Sequence, residues 1–256
     1  MSMLLLAKLL TSPLLIGAAS LAGKRWGPNV AGVLGGLPLV AGPIVLVLWL
    51  SHGPVYVTQL ALAAPVGVWA NVAYMLIMAW ASQRLAWWGA LLLAWTSYVM
   101  VALLLHAVGV ADNIWLGLAV LPGLWLAATR WLPRPEAPPQ VVALPRSELL
   151  TRMLAAAGLV TLLTTVSPLL GPTLTGIFTG APVAGTVIPA FTFARSGRNA
   201  LLLVLRGFLT GLMGLTVFFL ALGWGVPLLG FWGTLLAALA GVLVGLAASE
   251  IVRRTL

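Results

Sequence analysis

Apolar stretches of about 20 residues follow one another along almost the whole chain, and an α-helix of that length crosses the hydrocarbon core of a bilayer. Hydrophobic residues make up 62% of the sequence and charged residues only 7%. A soluble domain typically needs roughly 25% charged residues to cover its surface. Most of the surface of this protein must therefore face lipid. The sequence predicts an all-α polytopic membrane protein.

We interpret the apolar stretches as about nine transmembrane spans, numbered in chain order. They cover residues 3–22, 28–50, 55–82, 86–107, 111–131, 148–169, 172–194, 199–224 and 229–251. The segment from Leu132 to Glu148 is rich in proline, which is typical of an extended linker. The predicted organisation is an N-terminal four-helix unit (1–107), a connecting helix with a cytoplasmic linker (108–147) and a C-terminal four-helix unit (148–256).

Most basic residues fall on one side of the membrane when the spans are placed in this way. They are Lys24, Arg25, Arg84, Arg130, Arg134, Arg146, Arg195, Arg198, Arg253 and Arg254. Because cytoplasmic loops carry an excess of Lys and Arg, that side is predicted to be cytoplasmic. We expect a multi-pass protein of the bacterial inner (cytoplasmic) membrane, with the N-terminus outside and the C-terminus inside.

An internal repeat relates the two units at a constant offset of 144 residues. The first copy has Gly27, Pro28, Gly32, Gly36, Pro38 and Gly53, and the second has Gly171, Pro172, Gly176, Gly180, Pro182 and Gly197. This offset maps spans 1–4 onto spans 6–9 and leaves span 5 as a connector. Since five spans separate the starts of the two copies, the second copy begins on the opposite side. The sequence predicts two inverted repeats, the common plan of secondary transporters.

Spans 2 and 7 hold clusters of glycine and proline near their middle, which predicts broken helices at matched depth. Irregular backbone at that depth must be buried in protein or line a cavity. The candidate substrate-binding residues there are Gly36, Pro38, Gly42, Pro43, Thr179, Gly180, Pro182 and Thr186. The alternative is that the four-residue spacing of Gly32 and Gly36 serves only close helix packing. Both interpretations stay open at this point.

Two polar residues inside spans complete the candidate site. Arg206 lies within span 8, where a charge costs at least roughly 2.5 kcal/mol. We expect it to bind an anion or to act in gating, unless it snorkels to the cytoplasmic surface. Asn71 lies in span 3 and either contacts substrate or makes an interhelical hydrogen bond.

Several chemistries lack the residues that they need. The chain has no cysteine, and its four acidic residues all lie away from the predicted centres of the spans. We therefore expect no metal or other cofactor and no enzymatic activity. The net charge of +9 is spread singly or in pairs between apolar runs, so no nucleic-acid partner is expected. The expected partners are membrane lipids and a small-molecule substrate, and a homodimer is left open.

The duplicated Gly-Pro, Gly, Gly, Pro segment resembles that of small uncharacterised bacterial inner-membrane proteins, chiefly over residues 27–53 and 171–224. The layout also resembles inverted-repeat secondary transporters with crossed broken helices. The predicted function is a transporter or exporter of a small solute, with anionic and amphipathic solutes as the classes considered. The alternatives are a lipid-handling protein or flippase and a structural subunit of a membrane complex.

Overall fold

A computed structural model of the protein describes residues 3–38, 41–109, 114–138, 145–179 and 181–255. Their seven α-helices are α1 (Met3–Trp26), α2 (Pro28–Gly36), α3 (Ala41–Ala81), α4 (Trp87–Ala107), α5 (Ile114–Leu126), α6 (Arg146–Thr179) and α7 (Val183–Thr255). Helix α5 continues into a π-helical segment, Ala127–Trp131. No strand occurs within these ranges. The all-α class predicted from the sequence is confirmed.

Three helical stretches of the described residues are long and apolar enough to cross a membrane. They are Ile44–Ala81, Trp87–Ala107 and Val183–Leu246, with lengths of 38, 21 and 64 residues. The last would extend about 96 Å as a straight helix, three times the roughly 30 Å of a hydrocarbon core. These stretches support the assignment to membrane proteins, and the longest one must bend to fit a bilayer.

Single glycines provide the bends inside the two longest helices. Gly53 in α3 has φ 80° and ψ −176°, and Gly197 in α7 has φ 75° and ψ −175°. Gly230 in α7 has φ 68° and ψ 174°. These are backbone conformations that glycine adopts readily and L-residues rarely do. We therefore divide α3 into α3a (41–52) and α3b (54–81), and α7 into α7a (183–196), α7b (198–229) and α7c (231–255).

The chain reverses direction at Gly230 and again at Gly197. A Cβ atom on Gly225 would lie 2.5 Å from Cγ2 of Thr234, although nine residues of straight helix span about 13.5 Å. A Cβ atom on Gly185 would lie 3.4 Å from the Phe208 ring, so α7a folds back on α7b. Helix α7 is thus three segments that pack side by side.

The helix count differs from the predicted nine, for two physical reasons. No loop separates the helical segments on either side of the turning glycines, so α3 contains the end of span 2 together with span 3, and α7 contains the end of span 7 together with spans 8 and 9. Helix α6 also runs through the predicted boundary between spans 6 and 7. Gly53 and Gly197 lie in the predicted gaps between spans 2 and 3 and between spans 7 and 8, and Gly230 is the second residue of predicted span 9.

Two further interruptions fall at the predicted proline positions. Helix α2 ends at Gly36, Leu37 is extended (φ −71°, ψ 162°), and α3 begins at Ala41. Helix α6 ends at Thr179 and α7 begins at Val183. Pro38 and Pro182 lie inside these interruptions, and both are buried.

Helix α2 packs against α7b with their backbones in direct contact. A Cβ atom on Gly32 would collide with the carbonyl oxygen of Val204, and one on Gly207 would collide with that of Asn29. A Cβ atom on Gly36 would lie 2.5 Å from the carbonyl oxygen of Phe208. The contact moves from Val204 to Phe208 along α7b as it moves from Gly32 to Gly36 along α2, so the two helices run parallel.

The same contact recurs between two other helices at the repeat offset. A Cβ atom on Gly211 of α7b would collide with the carbonyl oxygen of Val33 of α2. A Cβ atom on Gly67 of α3b would collide with the carbonyl oxygen of Ile177 of α6. Ile177 follows Val33 by 144 residues, and Gly211 follows Gly67 by the same number. The two contacts are therefore reciprocal: in one, a glycine of the second half meets a carbonyl of the first, and in the other the roles of the halves are exchanged.

The core lies where α3b and α7b meet the other helices. The largest fully buried side chains include Tyr74, Met75 and Met78 of α3b and Phe218 and Phe219 of α7b. These helices carry the glycines of the two reciprocal contacts. The glycine contacts thus hold the short or broken helices against the most deeply buried ones.

We predict that Gly211→Leu and Gly67→Leu each destabilise the protein by about 1–3 kcal/mol or more, because overpacking forces the helices apart. Gly158→Leu is the matched control, since a Cβ atom there meets nothing within 4 Å. The measurement is the fraction of folded, monodisperse protein that survives heating in detergent. If Gly158→Leu lost as much as the other two, the contact would not be the cause.

Candidate binding site at the break between α6 and α7

Three aromatic side chains direct their polar atoms at the interruption between α6 and α7. The Trp95 Nε1–H donates to the Thr186 hydroxyl at 3.0 Å. The Tyr74 hydroxyl donates to the Gly185 carbonyl at 3.2 Å, and the Tyr98 hydroxyl donates to the Ile177 carbonyl at 3.0 Å. We call Tyr74, Trp95 and Tyr98 the aromatic cluster.

The break itself explains why polar side chains gather here. The last four carbonyls of a helix have no partner within that helix, and Ile177 lies in the last turn of α6. Tyr98 is fully buried, so its hydroxyl satisfies a carbonyl that water does not reach. An interrupted helix at this depth requires such partners, because buried unpaired backbone groups are costly.

The rings of the aromatic cluster form one continuous wall. Tyr74 and Trp95 pack edge to face with centroids 6.0 Å apart, and Trp95 and Tyr98 do so at 5.5 Å. Tyr74 belongs to α3b, whereas Trp95 and Tyr98 belong to α4. The wall therefore joins two helices of the first half to a break in the second half.

Three of the residues predicted from the sequence lie at or beside this wall. Thr186 is 9% exposed and accepts the Trp95 hydrogen bond. Pro182 is buried within the interruption. Asn71 is 1% exposed and precedes Tyr74 by three residues, so both lie on one face of α3b.

The predicted residues of the first interruption have different surroundings. Gly36 lies in the contact with α7b, so the packing interpretation applies to it. Pro38 is buried, and a Cβ atom on Gly42 would meet no atom within 4 Å. The side chains of Pro43 and Thr179, and all of Gly180, lie outside the described part of the structure.

Polar side chains gather around the second interruption. At the repeat offset, Asn71, Tyr74, Trp95 and Tyr98 correspond to Leu215, Phe218, Leu239 and Val242, and Thr186 corresponds to Gly42. Leu37 and Val242 both lie 3.1 Å from a Cβ atom built on Gly214, so Val242 is next to the first break. Among the described residues, the second break is therefore surrounded by polar groups, whereas the corresponding positions at the first are apolar.

Arg206 reaches the linker that follows span 5. Its Nη2 donates to the carbonyl oxygens of Leu132 at 3.0 Å and Pro133 at 3.2 Å. Leu132 follows the π-helical segment, so these are carbonyls at the end of a helix, where a cation is favourable. The structure thus gives Arg206 a contact that holds the linker, away from the residues gathered around Thr186.

Three ion pairs, two of them on the buried Glu148, lie near Gly197, and sequence reasoning missed them. Glu148 has a side chain only 4% exposed, which pairs with Arg152 at 2.7 Å and with Arg195 at 3.4 Å. Arg198, on the other side of the glycine, pairs with Glu136 at 2.9 Å. The linker and the start of α6 thereby hold both flanks of the Gly197 turn.

Sequence reasoning also missed the whole aromatic cluster. The available signal was the tyrosines, since the chain has only three, all inside predicted spans, and Tyr74 and Tyr98 lie far from the span ends. A phenol inside a membrane span needs a hydrogen-bond partner. The three-residue spacing of Asn71 and Tyr74, and of Trp95 and Tyr98, places each pair on one helix face.

The chemistry of the site suits binding. Hydroxyl and indole donors beside interrupted backbone can hold a hydrogen-bonding group of a small molecule. Comparisons with protein-family models, curated proteins and solved structures found no match. The resemblance noted from the sequence stays a prediction.

We predict that Thr186→Val destabilises the protein by about 1–3 kcal/mol, because it leaves the indole N–H of the partly buried Trp95 without its acceptor. Thr96→Val is the matched control, since that exposed hydroxyl donates only to Leu92 of its own helix at 2.9 Å. Thermal denaturation in detergent measures both variants. If both variants lost the same stability, the Thr186 hydroxyl would contribute no more than that of a threonine bonded only within its own helix.

Proposed function

We propose that the protein is a membrane transporter or exporter of a small anionic or amphipathic solute. It would work by alternating access between two four-helix halves of opposite orientation. The observation that carries the proposal is the reciprocal pair of contacts, Gly211 with Val33 and Gly67 with Ile177. Each half contributes one broken-helix segment and one long helix to these contacts.

Reciprocity matters because alternating access needs two nearly equivalent halves that can exchange conformations. In both contacts a backbone carbonyl of one half meets a glycine of the other half. The two positive-φ turns, Gly53 and Gly197, share the offset and almost the same dihedral angles. The halves differ in the polar side chains around one break and in the ion pairs around one turn. They also differ at Gly27, which separates α1 from α2, because α6 continues through the corresponding Gly171.

The direction of the helices supports opposite orientation. Helix α2 runs parallel to α7b, and the chain turns at Gly53 before α3b begins. If α3a continues the crossing that α2 starts, α3b runs against α2 and therefore against α7b. Helices α3b and α7b are repeat counterparts, and counterparts in inverted halves run in opposite directions.

The two breaks lie on either side of one phenylalanine ring. A Cβ atom on Gly35 would lie 2.6 Å from Cζ of Phe208, and one on Gly185 would lie 3.4 Å from its Cε1. A solute between the breaks would meet hydroxyls and the N-terminal end of α7a on one side, which favours a negative or polar group. It would meet apolar side chains on the other, so an amphipathic solute fits.

Orientation is tested with single cysteines at positions 52 and 196, which lie beside the two turning glycines. The wild-type chain has no cysteine, so His52→Cys and Ser196→Cys each give one labelling site. We expect an impermeant maleimide to reach position 52 from outside the cell and position 196 only after permeabilisation. Labelling after full denaturation measures the total. Labelling of both positions from one side would contradict the inverted halves.

Transport is tested in proteoliposomes with a panel of small anionic and amphipathic solutes, against protein-free liposomes. For a solute that moves, Trp95→Phe should raise KM about threefold to tenfold, because one hydrogen bond of about 0.5–1.5 kcal/mol is lost near the solute. Thr96→Val should leave KM unchanged. An unchanged KM in Trp95→Phe would remove the aromatic cluster from the site. Flipping of a labelled lipid with no solute flux would favour the lipid-handling alternative.

A further inference from the structure

An exposed basic cluster surrounds the place where α3b and the π-helical segment meet. The Trp80 Nε1–H donates to the Trp131 carbonyl at 3.1 Å and joins the two helix ends. Arg84 follows in the turn that ends α3b, and Arg130 and Arg134 lie on either side of Trp131 along the chain. All three arginines are exposed. We call Arg84, Arg130 and Arg134 the arginine cluster.

The positive charge of the arginine cluster is not balanced within the described ranges. The described ion pairs use Glu136 for Arg198, and Glu148 for Arg152 and Arg195. No carboxylate there pairs with a member of the cluster. A negatively charged group would offset this positive charge.

An apolar groove begins next to the arginine cluster and follows the outer face of α4. Its volume is about 430 Å³, and its lining includes Leu85, Trp88, Gly89, Leu92, Leu93 and Thr96. Leu85, the residue after Arg84, lies at the start of the groove. Trp80, Trp88 and Trp131 are each more than half exposed, which is typical of side chains at the level of lipid headgroups.

We propose that this surface binds one anionic phospholipid, with its phosphate on the arginine cluster and an acyl chain in the groove. A soluble anion would use the arginines alone, whereas only a lipid would use the charge and the adjoining groove together. The positive charge therefore favours an anionic group, and the adjoining groove indicates that this group is the headgroup of a lipid. Binding here would hold the end of α3b, the start of α4 and the linker together.

The test uses the full-length protein in detergent micelles and phospholipids brominated on their acyl chains, which quench nearby tryptophans. We expect brominated phosphatidylglycerol to quench at a concentration at least tenfold lower than brominated phosphatidylcholine. Arg84→Gln, Arg130→Gln and Arg134→Gln should each weaken phosphatidylglycerol binding about fivefold. Arg25→Gln is the matched control, because Arg25 is also exposed and lies 5.7 Å from a tryptophan ring, that of Trp26.

Gly89→Phe tests the groove separately from the charge. A Cβ atom on Gly89 meets only Leu85, at 3.4 Å or more, so a larger side chain fits without moving the backbone. It should weaken phosphatidylglycerol binding at least fivefold, whereas Gly158→Phe, at an exposed glycine of α6, should not. Unchanged elution volume confirms that each variant is folded.

Three outcomes would overturn the proposal. Equal quenching by the two lipids would show that charge does not select the lipid. If Gly89→Phe bound phosphatidylglycerol as tightly as the wild-type protein, the groove would have no role in binding. Full displacement of phosphatidylglycerol by inorganic phosphate at equal concentration would identify a simple anion site.

Discussion

The backbone contact between α2 and α7b is the interaction on which the rest of the arrangement depends. Helix α2 has only nine residues, which is too short to be stable alone in water or between breaks. Lipid provides no hydrophobic drive for helix association, so close van der Waals contact must supply it. The glycines of α2 and α7b allow that contact, and the break after Gly36 can exist because α7b holds the helix before it.

The second contact, between α3b and α6, supports the other break in the same way. The two breaks then differ in what surrounds them. Tyr74, Trp95 and Tyr98 supply hydrogen bonds at the break after α6, whereas leucine, phenylalanine and valine occupy the corresponding positions at the first. The two breaks thus differ in polarity although their positions match at the repeat offset. A solute between them would meet polar groups at one break and apolar side chains at the other, which is the basis for proposing an amphipathic or anionic solute.

Much of this arrangement could be predicted because its signals are local. Glycine and proline mark breaks and turns wherever they stand, so Pro38, Pro182, Gly53 and Gly197 were readable from the chain. The number of helices differs from the predicted nine because segments joined by a turn at a single glycine follow one another without a loop. Helix α6 also continues across a predicted boundary between spans, which hydropathy does not show. The Glu148–Arg195 ion pair and the aromatic cluster were missed because their partners lie far away in sequence: Tyr98 and Ile177 are 79 residues apart. Arg206 looked isolated in its span because the linker carbonyls that it binds lie 74 and 73 residues earlier.

The central claim is that the halves are inverted and meet through reciprocal glycine contacts. The most direct measurement is an electron-microscopy structure of the protein in lipid nanodiscs. The account predicts that α3b and α7b cross the bilayer in opposite directions, with Gly211 against the Val33 carbonyl and Gly67 against the Ile177 carbonyl. Crossing in the same direction, or a glycine contact on one side only, would contradict it.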